Sequence, residues 1–453
     1  MTWRIIIFLF VMSSGNCVSS NQLVSLETIK EQKALTEIAT LSNGIPLIYR
    51  NIPNSDILQI DANFTFGRKD IATQGKALLP IMFATMTKGA QNWSKEALFR
   101  LTEKYSAGIS CSSGIELSSC SLSVINDYWL KLLPAFQAII KEPTFSQKEL
   151  LLAIDRRKAS LKASDQNPES YSNEVVNEIF YGPNHPYYLS NKQALTHLSA
   201  AKREAIIGLH NSILNADRMF LTIATSLPLP LVKKHLEMVF GNITKKTFQS
   251  VVAKEPKFAK NSSSIIAHRD IPSAYMRAKF NLPGIQSPDY MATKLMIKIL
   301  DEELSTEIRT KLSLSYAVYS YALNYQIGFG IIAASTSYPE QTLSALNTVL
   351  KKLKSHTYTA KELEEYKNVY ATKYFLTLEE HSSLAAALSH TYHYFKSTDP
   401  MYENTLLLAQ VTPEKVKEMA NKYLNNFRLG IVYSKDKIKK EWMDHLVKQH
   451  LSL

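Results

Sequence analysis

The sequence predicts an α+β fold made of two similar domains, each a mainly antiparallel sheet packed against helices. One supersecondary unit of strand, helix, hairpin and two helices occurs twice. The phrases Phe145-x-x-Lys-Glu-Leu and Tyr358-x-x-Lys-Glu-Leu occupy matching places in the two copies, 213 residues apart. Strands that are neighbours in the chain and joined by short turns favour antiparallel sheets. The length of 453 residues also exceeds what one hydrophobic core usually supports.

The first copy of the unit opens with a strand whose residues alternate between apolar and polar types. Its helices show the period of 3.6 residues that is typical of amphipathic helices. Ser146 is placed to N-cap the helix that follows Phe145. The predicted elements are a strand at 57–66, a helix at 75–86, a hairpin at 107–124 and a helix at 127–141.

The second copy repeats this order, and Thr359 is its N-cap residue. Between the copies, residues 244–264 are polar, rich in Lys and Ser, and without sustained periodicity, which predicts a linker. We therefore expect an N-terminal domain at 21–245 and a C-terminal domain at 246–453. The predicted elements of the second copy are strands at 274–282, 314–323 and 327–336 and helices at 289–300 and 339–354.

The N-terminus predicts an export signal over residues 1–20. Arg4 precedes eight apolar residues, from Ile5 to Met12, and a small polar region follows. Eight residues are too few to span a bilayer but suit a signal peptide. Cys17 also allows a lipoprotein, although Asn16 stands where a small residue should precede the lipidated cysteine. No later segment predicts a transmembrane helix, so we expect a soluble periplasmic or secreted protein.

The two remaining cysteines flank the predicted turn of the first hairpin. If the turn centres near Ile115 and Glu116, Cys111 and Cys120 face each other across the ladder. Cross-strand Cα atoms lie about 4.5–5.5 Å apart, within the range of a disulfide. A disulfide and two free thiols both fit this pattern, and the sequence does not choose between them.

The chain carries 52 basic and 40 acidic residues. Its lysines are scattered through amphipathic patterns and loops and lack the interleaved aromatic residues of a single-strand nucleic-acid groove. We expect no nucleic-acid partner. A solvated surface is the default interpretation, and a preference for acidic partners is only weakly indicated.

One segment resembles a motif of the pitrilysin/insulinase (M16) zinc peptidases. Residues 308–320 read Ile-Arg-Thr-Lys-Leu-Ser-Leu-Ser-Tyr-Ala-Val-Tyr-Ser, similar to the family's Leu-Arg-x-x-x-Gly-Leu-x-Tyr-x-Val-x-Ser. Shorter phrases agree in order and spacing: Asn43-Gly44, His185-Pro186-Tyr187 and the Val-Thr-Pro-Glu-Lys-Val of 411–416. The resemblance covers roughly residues 38–435 and implies two homologous domains, each with the M16 metallohydrolase fold that LuxS and the mitochondrial processing peptidases share.

The family's zinc motif, His-x-x-Glu-His, is missing. Aligned on Gly75-x-Ala77, its three positions hold Leu78, Ile81 and Met82; aligned on Lys88-Gly89, they hold Pro80, Phe83 and Ala84. The region of the third ligand, 155–162, is basic and apolar where a carboxylate is needed. A catalytic zinc needs three protein ligands and a Glu base. We therefore expect no cofactor in this chain and no catalysis by it alone.

The histidines offer no clear substitute for the lost zinc site. His390 and His393 share a helix face, whereas His381, nine residues before His390, points to the opposite face. An ordinary pair of helix histidines is the preferred interpretation, with a second metal site as the alternative.

The resemblance implies that Arg309 and Tyr316 bind substrate. In the family this Arg/Tyr pair projects toward a peptide held near the zinc; an Arg grips carbonyl or carboxylate oxygens and a Tyr hydroxyl donates to an oxyanion. The alternative is a salt-bridged Arg and a core Tyr that only stabilise the fold. Ser313 replaces the family's Gly, so we expect the loop before Tyr316 to differ, because Gly reaches positive φ easily.

Three functions follow from these residues. The chain is the non-catalytic, substrate-binding subunit of a heterodimeric M16 peptidase whose partner carries zinc, or a zinc-less scaffold or peptide-binding protein, or a hydrolase with unrecognised residues. Loss of every zinc ligand argues against the third. Retention of Arg309 and Tyr316 favours the first.

Overall fold

The computed structural model describes residues 25–257 and 262–434, which form two β-sheets covered by helices. The predicted signal peptide at 1–20, including Cys17, lies outside the described residues. Among the helices of the described part, none is long and apolar enough to cross a membrane.

The first sheet has six strands in the order β1-β2-β6-β3-β5-β4. Only the β2–β6 pair is parallel, and the other neighbours are antiparallel. β4 lies at one edge of the sheet, since its only partner there is β5. The strands are β1 (Thr36–Thr40), β2 (Pro46–Asn51), β3 (Ile57–Phe64), β4 (Gly108–Ser112), β5 (Ser118–Ile125) and β6 (Met219–Thr225).

The second sheet has five strands in the order β7-β11-β8-β10-β9. Its β7–β11 pair is parallel and the remaining pairs are antiparallel. The strands are β7 (Ser263–His268), β8 (Ala274–Leu282), β9 (Ala317–Asn324), β10 (Gly328–Thr336) and β11 (Arg428–Tyr433).

The strand order of the second sheet repeats five strands of the first. β7, β11, β8, β10 and β9 correspond in chain order and in pairing to β2, β6, β3, β5 and β4. The predicted fold class, two mainly antiparallel sheets packed with helices, is confirmed. The domain boundary at 245/246 stays a prediction.

Helices cover both sheets, and seven of the fifteen described helices begin at a side-chain cap. Ser146 and Thr359 accept hydrogen bonds from the backbone N–H groups of Glu149 and Glu362, so both predicted N-caps are confirmed. The helices are α1 (Leu26–Ala34), α2 (Thr73–Met86), α3 (Lys95–Lys104), α4 (Trp129–Lys141), α5 (Gln147–Gln166), α6 (Pro168–Tyr181), α7 (Asn191–Ser199), α8 (Arg203–Ile213), α9 (Leu229–Phe240), α10 (Tyr290–Leu304), α11 (Pro339–Ser355), α12 (Ala360–Thr377), α13 (His381–Phe395), α14 (Asp399–Ala409) and α15 (Pro413–Tyr423).

Several boundaries differ from the sequence-based prediction by a few residues, and contacts in the structure explain two of these differences. β9 begins at Ala317 rather than at residue 314, because the N–H of Leu314 bonds back to the carbonyl of Ile308 instead of joining the ladder. The segment predicted as a linker ends earlier than expected: β7 starts at Ser263 and pairs with β11.

Helix α6 belongs to the first half of the chain but packs on the second sheet. It begins at Asn167, whose side chain accepts from the N–H of Ser170, and its buried face includes Val176 and Phe180. A Cβ at Gly430 of β11 would lie 2.9 Å from the backbone nitrogen of Val176. Gly430 therefore permits the close approach of the helix to the strand.

Helix α13 makes the reciprocal contact, because it belongs to the second half and packs on β3 and β6 of the first sheet. Its Ser389 hydroxyl donates to Thr222 of β6 at 2.9 Å and accepts from the amide of Asn63 on β3 at 3.0 Å. Leu388 is fully buried in the same contact. Each half thus supplies a helix that covers the sheet of the other.

A buried carboxylate accepts hydrogen bonds from both halves of the chain and so joins them. Glu116, in the β4–β5 turn, is 1% exposed and accepts hydrogen bonds from the hydroxyls of Tyr187 and Tyr394. It also accepts from the backbone N–H of Gln326, in the β9–β10 turn, at 3.2 Å. One side chain therefore holds the turns of both hairpins and the end of α13 together.

We predict that Glu116→Ala lowers the free energy of unfolding by about 3 kcal/mol, because it leaves buried hydroxyl and N–H donors without an acceptor. Chemical denaturation checks this value. Glu365→Ala is the matched control, since Glu365 is exposed on α12, and we expect it to change stability by less than about 0.5 kcal/mol. Equal effects of the two substitutions would contradict the role of Glu116.

Candidate functional site

Helix α2 holds the positions where the M16 resemblance places zinc ligands, and the side chains there are apolar. In the register set by Gly75, the three positions are buried, between 0% and 8% exposed. The alternative register gives a proline, a buried phenylalanine and an exposed alanine. A zinc ion does not fit such a set, because it needs nitrogen, oxygen or sulfur ligands. The two sets are Leu78, Ile81 and Met82, and Pro80, Phe83 and Ala84.

Helix α5, where the third ligand is expected, also carries no suitable group toward α2. Its buried residues include Ile154 and Leu161, and Asp155 is exposed. Over residues 25–257 and 262–434, no three His, Cys, Asp or Glu side chains come together in a way that could hold a metal ion. The described part of the chain therefore does not fit the zinc of the family.

Arg309 and Tyr316 lie together at one end of the second sheet. Arg309 sits in a π-helical turn, Ser305–Lys311, that continues α10, and Tyr316 directly precedes β9. The guanidinium carbon is 4.5 Å from the centroid of the Tyr316 ring, a cation–π contact. The turn is anchored by Ile308, which is fully buried, and it packs against α10, α11 and β9.

The polar groups of this pair are available for binding. Tyr316 is 84% exposed, and Arg309 is exposed as well. Among the described residues, no carboxylate lies within 4.0 Å of the Arg309 guanidinium and no hydrogen bond is made by the Tyr316 hydroxyl. The structure thus differs from the alternative of a salt-bridged Arg and a core Tyr. The two side chains present a fork of donors and a hydroxyl to solvent.

Ser313, which stands where the family has Gly, adopts a left-handed conformation with a φ of 51°. The expected difference of this loop from that of an active enzyme stays a prediction. The conformation is held by two backbone hydrogen bonds beside it, from Leu312 to Glu307 at 3.1 Å and from Leu314 to Ile308 at 2.9 Å. A non-Gly residue in this region is strained by about 1 kcal/mol or more.

A polar cleft of about 540 Å³ lies between the first sheet and α13. Ser119, Ser121 and Ser123 of β5 form one wall, and His390 of α13 faces them. The alternation of this strand predicts a hairpin and places these serines on one face. It does not indicate that this face lines a cleft between the halves, because that depends on α13, which is distant in sequence.

Asp61 and Gln59 lie buried at the floor of this cleft. The Gln59 amide donates to Asp61 at 2.6 Å, and its own oxygen has no partner among the described residues. Burial raises the pKa of the Asp61 carboxyl, while hydrogen bonds from Ser121 and Gln59 oppose the increase. The floor therefore offers an acceptor with unsatisfied capacity, the Gln59 oxygen on β3.

Two of the three histidines of α13, His390 and His393, flank Tyr394. The rings of His390 and His393 lie 4.9 and 4.6 Å from the Tyr394 ring, and His381 is bonded to Ser55 at 2.6 Å, away from them. Burial lowers the pKa of His390 to about 4, and nearby Lys294 adds to this. Burial also lowers the pKa of His393 to about 3, assisted by Lys396. Both rings are neutral packing groups at neutral pH.

Cys111 and Cys120 are directly opposite each other in the β4–β5 ladder. Their sulfurs are 2.04 Å apart, a covalent distance, and their Cα atoms are 4.0 Å apart. The bond ties the edge strand β4 to β5, next to the turn that carries Glu116.

Known proteins that resemble this chain in sequence include members of the M16 peptidase family. Residues 200–370 match the family model of the peptidase M16 inactive domain, a range that contains Arg309 and Tyr316. The mitochondrial-processing peptidase subunit alpha-1 of Dictyostelium discoideum is 26% identical over 168 residues, which are 37% of this chain and 25% of that protein. The match thus spans a quarter of that relative's length.

Solved structures share the fold at low identity. A protease from Helicobacter pylori aligns with a TM-score of 0.80 at 14% identity, over 88% of this chain and 99% of that one. A peptidase M16 inactive domain from Pseudomonas fluorescens gives 0.80 at 18% identity, over 88% and 98%. The periplasmic protease PqqL of Escherichia coli gives 0.76 at 18% identity, over 88% of this chain and 45% of that one. The chain is a relative of the M16 peptidases that lacks their zinc motif.

We predict that Ser313→Gly raises the free energy of unfolding by up to about 1 kcal/mol, because glycine adopts positive φ without strain. Ser305→Gly is the matched control. Ser305 has helical backbone angles, with φ −60°, and glycine there should lower stability by about 0.5–1 kcal/mol. Denaturant unfolding of both variants measures the difference, and changes of the same sign would contradict the strain at Ser313.

We also predict that acid destabilises the protein through His390 and His393. Their pKa values are lower in the folded state than the ordinary value of about 6.5, so protonation favours unfolding. Stability is complete above about pH 6.5 and falls as pH drops toward 4, by at most about 1.4 kcal/mol per pH unit for each ring.

Denaturation at several pH values tests this, with the variant His390→Gln/His393→Gln expected to lose less stability between pH 6.5 and 4.5. His268→Gln is the control, since His268 is exposed on β7. An unchanged slope in the double variant would mean that other groups cause the acid sensitivity.

Proposed function

We propose that this zinc-less M16 relative is the substrate-binding subunit of a two-chain M16 peptidase, in which it supplies Arg309 and Tyr316 to a partner that carries the zinc. The proposal rests on the arrangement of Arg309 and Tyr316. Both side chains are exposed, they lie together, and no described residue uses their donors. A partner that covers this surface would remove them from water and strengthen their interactions with a bound peptide.

The chemistry of the pair suits a peptide bond. The guanidinium fork of Arg309 can hold a carbonyl or a carboxylate of the peptide in a fixed orientation. The hydroxyl of Tyr316 can donate to a carbonyl oxygen that becomes negatively charged during attack. The cation–π contact keeps the Tyr316 ring beside the guanidinium, so the two donors act on neighbouring atoms.

A second feature suits an extended peptide. β4 is an edge strand with one paired side, and the polar cleft with Asp61 at its floor lies beside it. Edge strands accept peptides by backbone hydrogen bonding. The disulfide of Cys111 fixes this edge to β5.

We also propose that the protein is exported to the periplasm or the exterior. The signal-like sequence at 1–20 supports this proposal. The bonded Cys111–Cys120 pair supports it independently, because disulfides persist mainly in oxidising compartments.

A scaffold role without chemistry is the second candidate. The match of residues 200–370 to a domain described as inactive favours it, as does the complete replacement of the zinc ligands by apolar residues. The two candidates differ in one respect: only the first requires the donors of Arg309 and Tyr316.

The first test is isolation of the native complex through a tag on this chain. We expect a co-purifying protein of similar length that contains His-x-x-Glu-His and lacks Arg-x6-Tyr, with zinc bound to that partner. The tagged chain alone should not cleave peptides. Chelator-sensitive cleavage by the chain alone would overturn the proposal.

In the reconstituted pair, we predict that Arg309→Ala or Tyr316→Phe lowers turnover by about 10²–10³, the usual effect of losing one donor that stabilises developing charge. Size-exclusion chromatography should show intact assembly. Arg100→Ala and Tyr128→Phe are matched controls, because both residues are exposed on the first half of the chain. Normal turnover of the reconstituted complex with Arg309→Ala or Tyr316→Phe would favour the scaffold role.

A further inference from the structure

A second cleft, of about 720 Å³, lies where the first sheet, the segment 245–250 and the end of α13 meet. It is separate from the Arg309/Tyr316 surface. Its lining is strongly basic, and the only carboxylate among its lining residues is that of Asp217. The cationic lining residues are Lys69, Arg218, Lys245, Lys246 and Lys396.

Arg218 is the unusual member of this set, because it is 2% exposed. Its guanidinium carbon lies 3.1 Å from the ring centroid of Phe248 and 4.2 Å from that of Phe66, so the charged plane is held between two aromatic faces. A buried cation of this kind is normally matched by an anion, since desolvation without a partner is costly.

The described residues do not supply that anion. No carboxylate lies within 4.0 Å of the Arg218 guanidinium; its Nη2 donates to the carbonyl of Thr65 at 3.4 Å, and its Nε has no partner. Asp70, whose negative charge favours protonated Arg218, forms a salt bridge with Lys69 at 3.1 Å. The pKa of Arg218 is lowered to about 10 by burial. Arg218 therefore retains charge and unused donors at the wall of a cleft.

Lys69 is buried and bonded to Asp70, Ser250 and Val251. The other three lysines of the cleft are accessible and only partly engaged. Lys245 is 3.7 Å from Asp217 with both side chains more than half exposed. Lys246 donates to the carbonyl of Asn211 at 2.8 Å, and Lys396 donates to that of His393 at 3.0 Å. Each ammonium has three donors, so each retains capacity for a further acceptor.

We propose that this cleft binds a small polyvalent oxyanion, with Arg218 gripping one phosphoryl or carboxylate group and Lys245 and Lys246 holding the adjacent charge. The volume is that of a small-molecule site. A concave surface lined by one sign of charge concentrates ligands of the opposite sign. This site does not depend on the peptidase-subunit role.

An ordinary solvated patch of lysines explains Lys245 and Lys246 but not Arg218. Surface lysines remain in water at little cost, whereas a nearly inaccessible guanidinium without a carboxylate lowers the stability of the free protein. Binding of an oxyanion offsets that cost, and the buried position of the guanidinium excludes water from the contact.

The test is isothermal titration of the full chain with pyrophosphate at constant ionic strength. We expect saturable 1:1 binding, weakened at least about tenfold by Lys245→Glu/Lys246→Glu. The control Lys351→Glu/Lys361→Glu makes the same change in net charge at exposed positions of α11 and α12, and its affinity should equal that of the native chain. Equal weakening by both pairs, or no saturable binding, would overturn the proposal.

Two further experiments test the role of Arg218 and identify the chemical class of the ligand. Arg218→Gln should abolish binding in a chain with a native circular dichroism spectrum, and unaltered affinity would overturn its role; if this variant does not fold, the lysine pair decides. Competition with an oligo-aspartate peptide separates the sources. Displacement of pyrophosphate by the peptide supports the cleft as an oxyanion site filled by carboxylates, and no displacement supports a free phosphoryl compound.

Discussion

The carboxylate of Glu116 is the constraint on which the arrangement of the two halves depends. It lies in the turn of one hairpin, accepts from the turn of the other at Gln326, and accepts from Tyr187 and Tyr394. Burial of a carboxylate is tolerated only when its oxygens are satisfied. Because its donors come from three distant segments, Glu116 is satisfied only when both halves are in place.

The exchange of helices also requires both halves to be in place, because it buries apolar contacts between them. α6 leaves the first half to cover the second sheet, and α13 leaves the second half to cover the first. Neither sheet is covered on both faces by its own half alone. The two clefts follow from this geometry, since both are lined by Tyr394 at the end of α13. The polar cleft and the basic cleft are therefore properties of the assembled pair of halves.

Much of the fold could be predicted from the sequence, because its signals are local. Periodicity and caps such as Ser146 and Thr359 determine elements, and the repeated Lys-Glu-Leu phrases indicate the duplication. The proximity of Arg309 and Tyr316 could be predicted because they lie seven residues apart across one turn. The roles of Glu116 and Arg218 could not, since each depends on contacts between segments distant in sequence. β7 was missed for the same reason: its strand character comes from pairing with β11.

The backbone is strained at Ser313, and the guanidinium of Arg218 has an unsatisfied donor. Both residues lie at the sites for which we propose functions. Ser313 holds a left-handed conformation beside Arg309 and Tyr316, and Arg218 holds a charge against aromatic rings without a carboxylate. Each lowers the stability of the free chain. Sequences that specify a single fold are locally consistent with it, and departures concentrate where binding restores the balance. In the functions proposed, the strained turn would present two donors to a peptide, and an oxyanion bound in the basic cleft would offset the cost of the buried guanidinium.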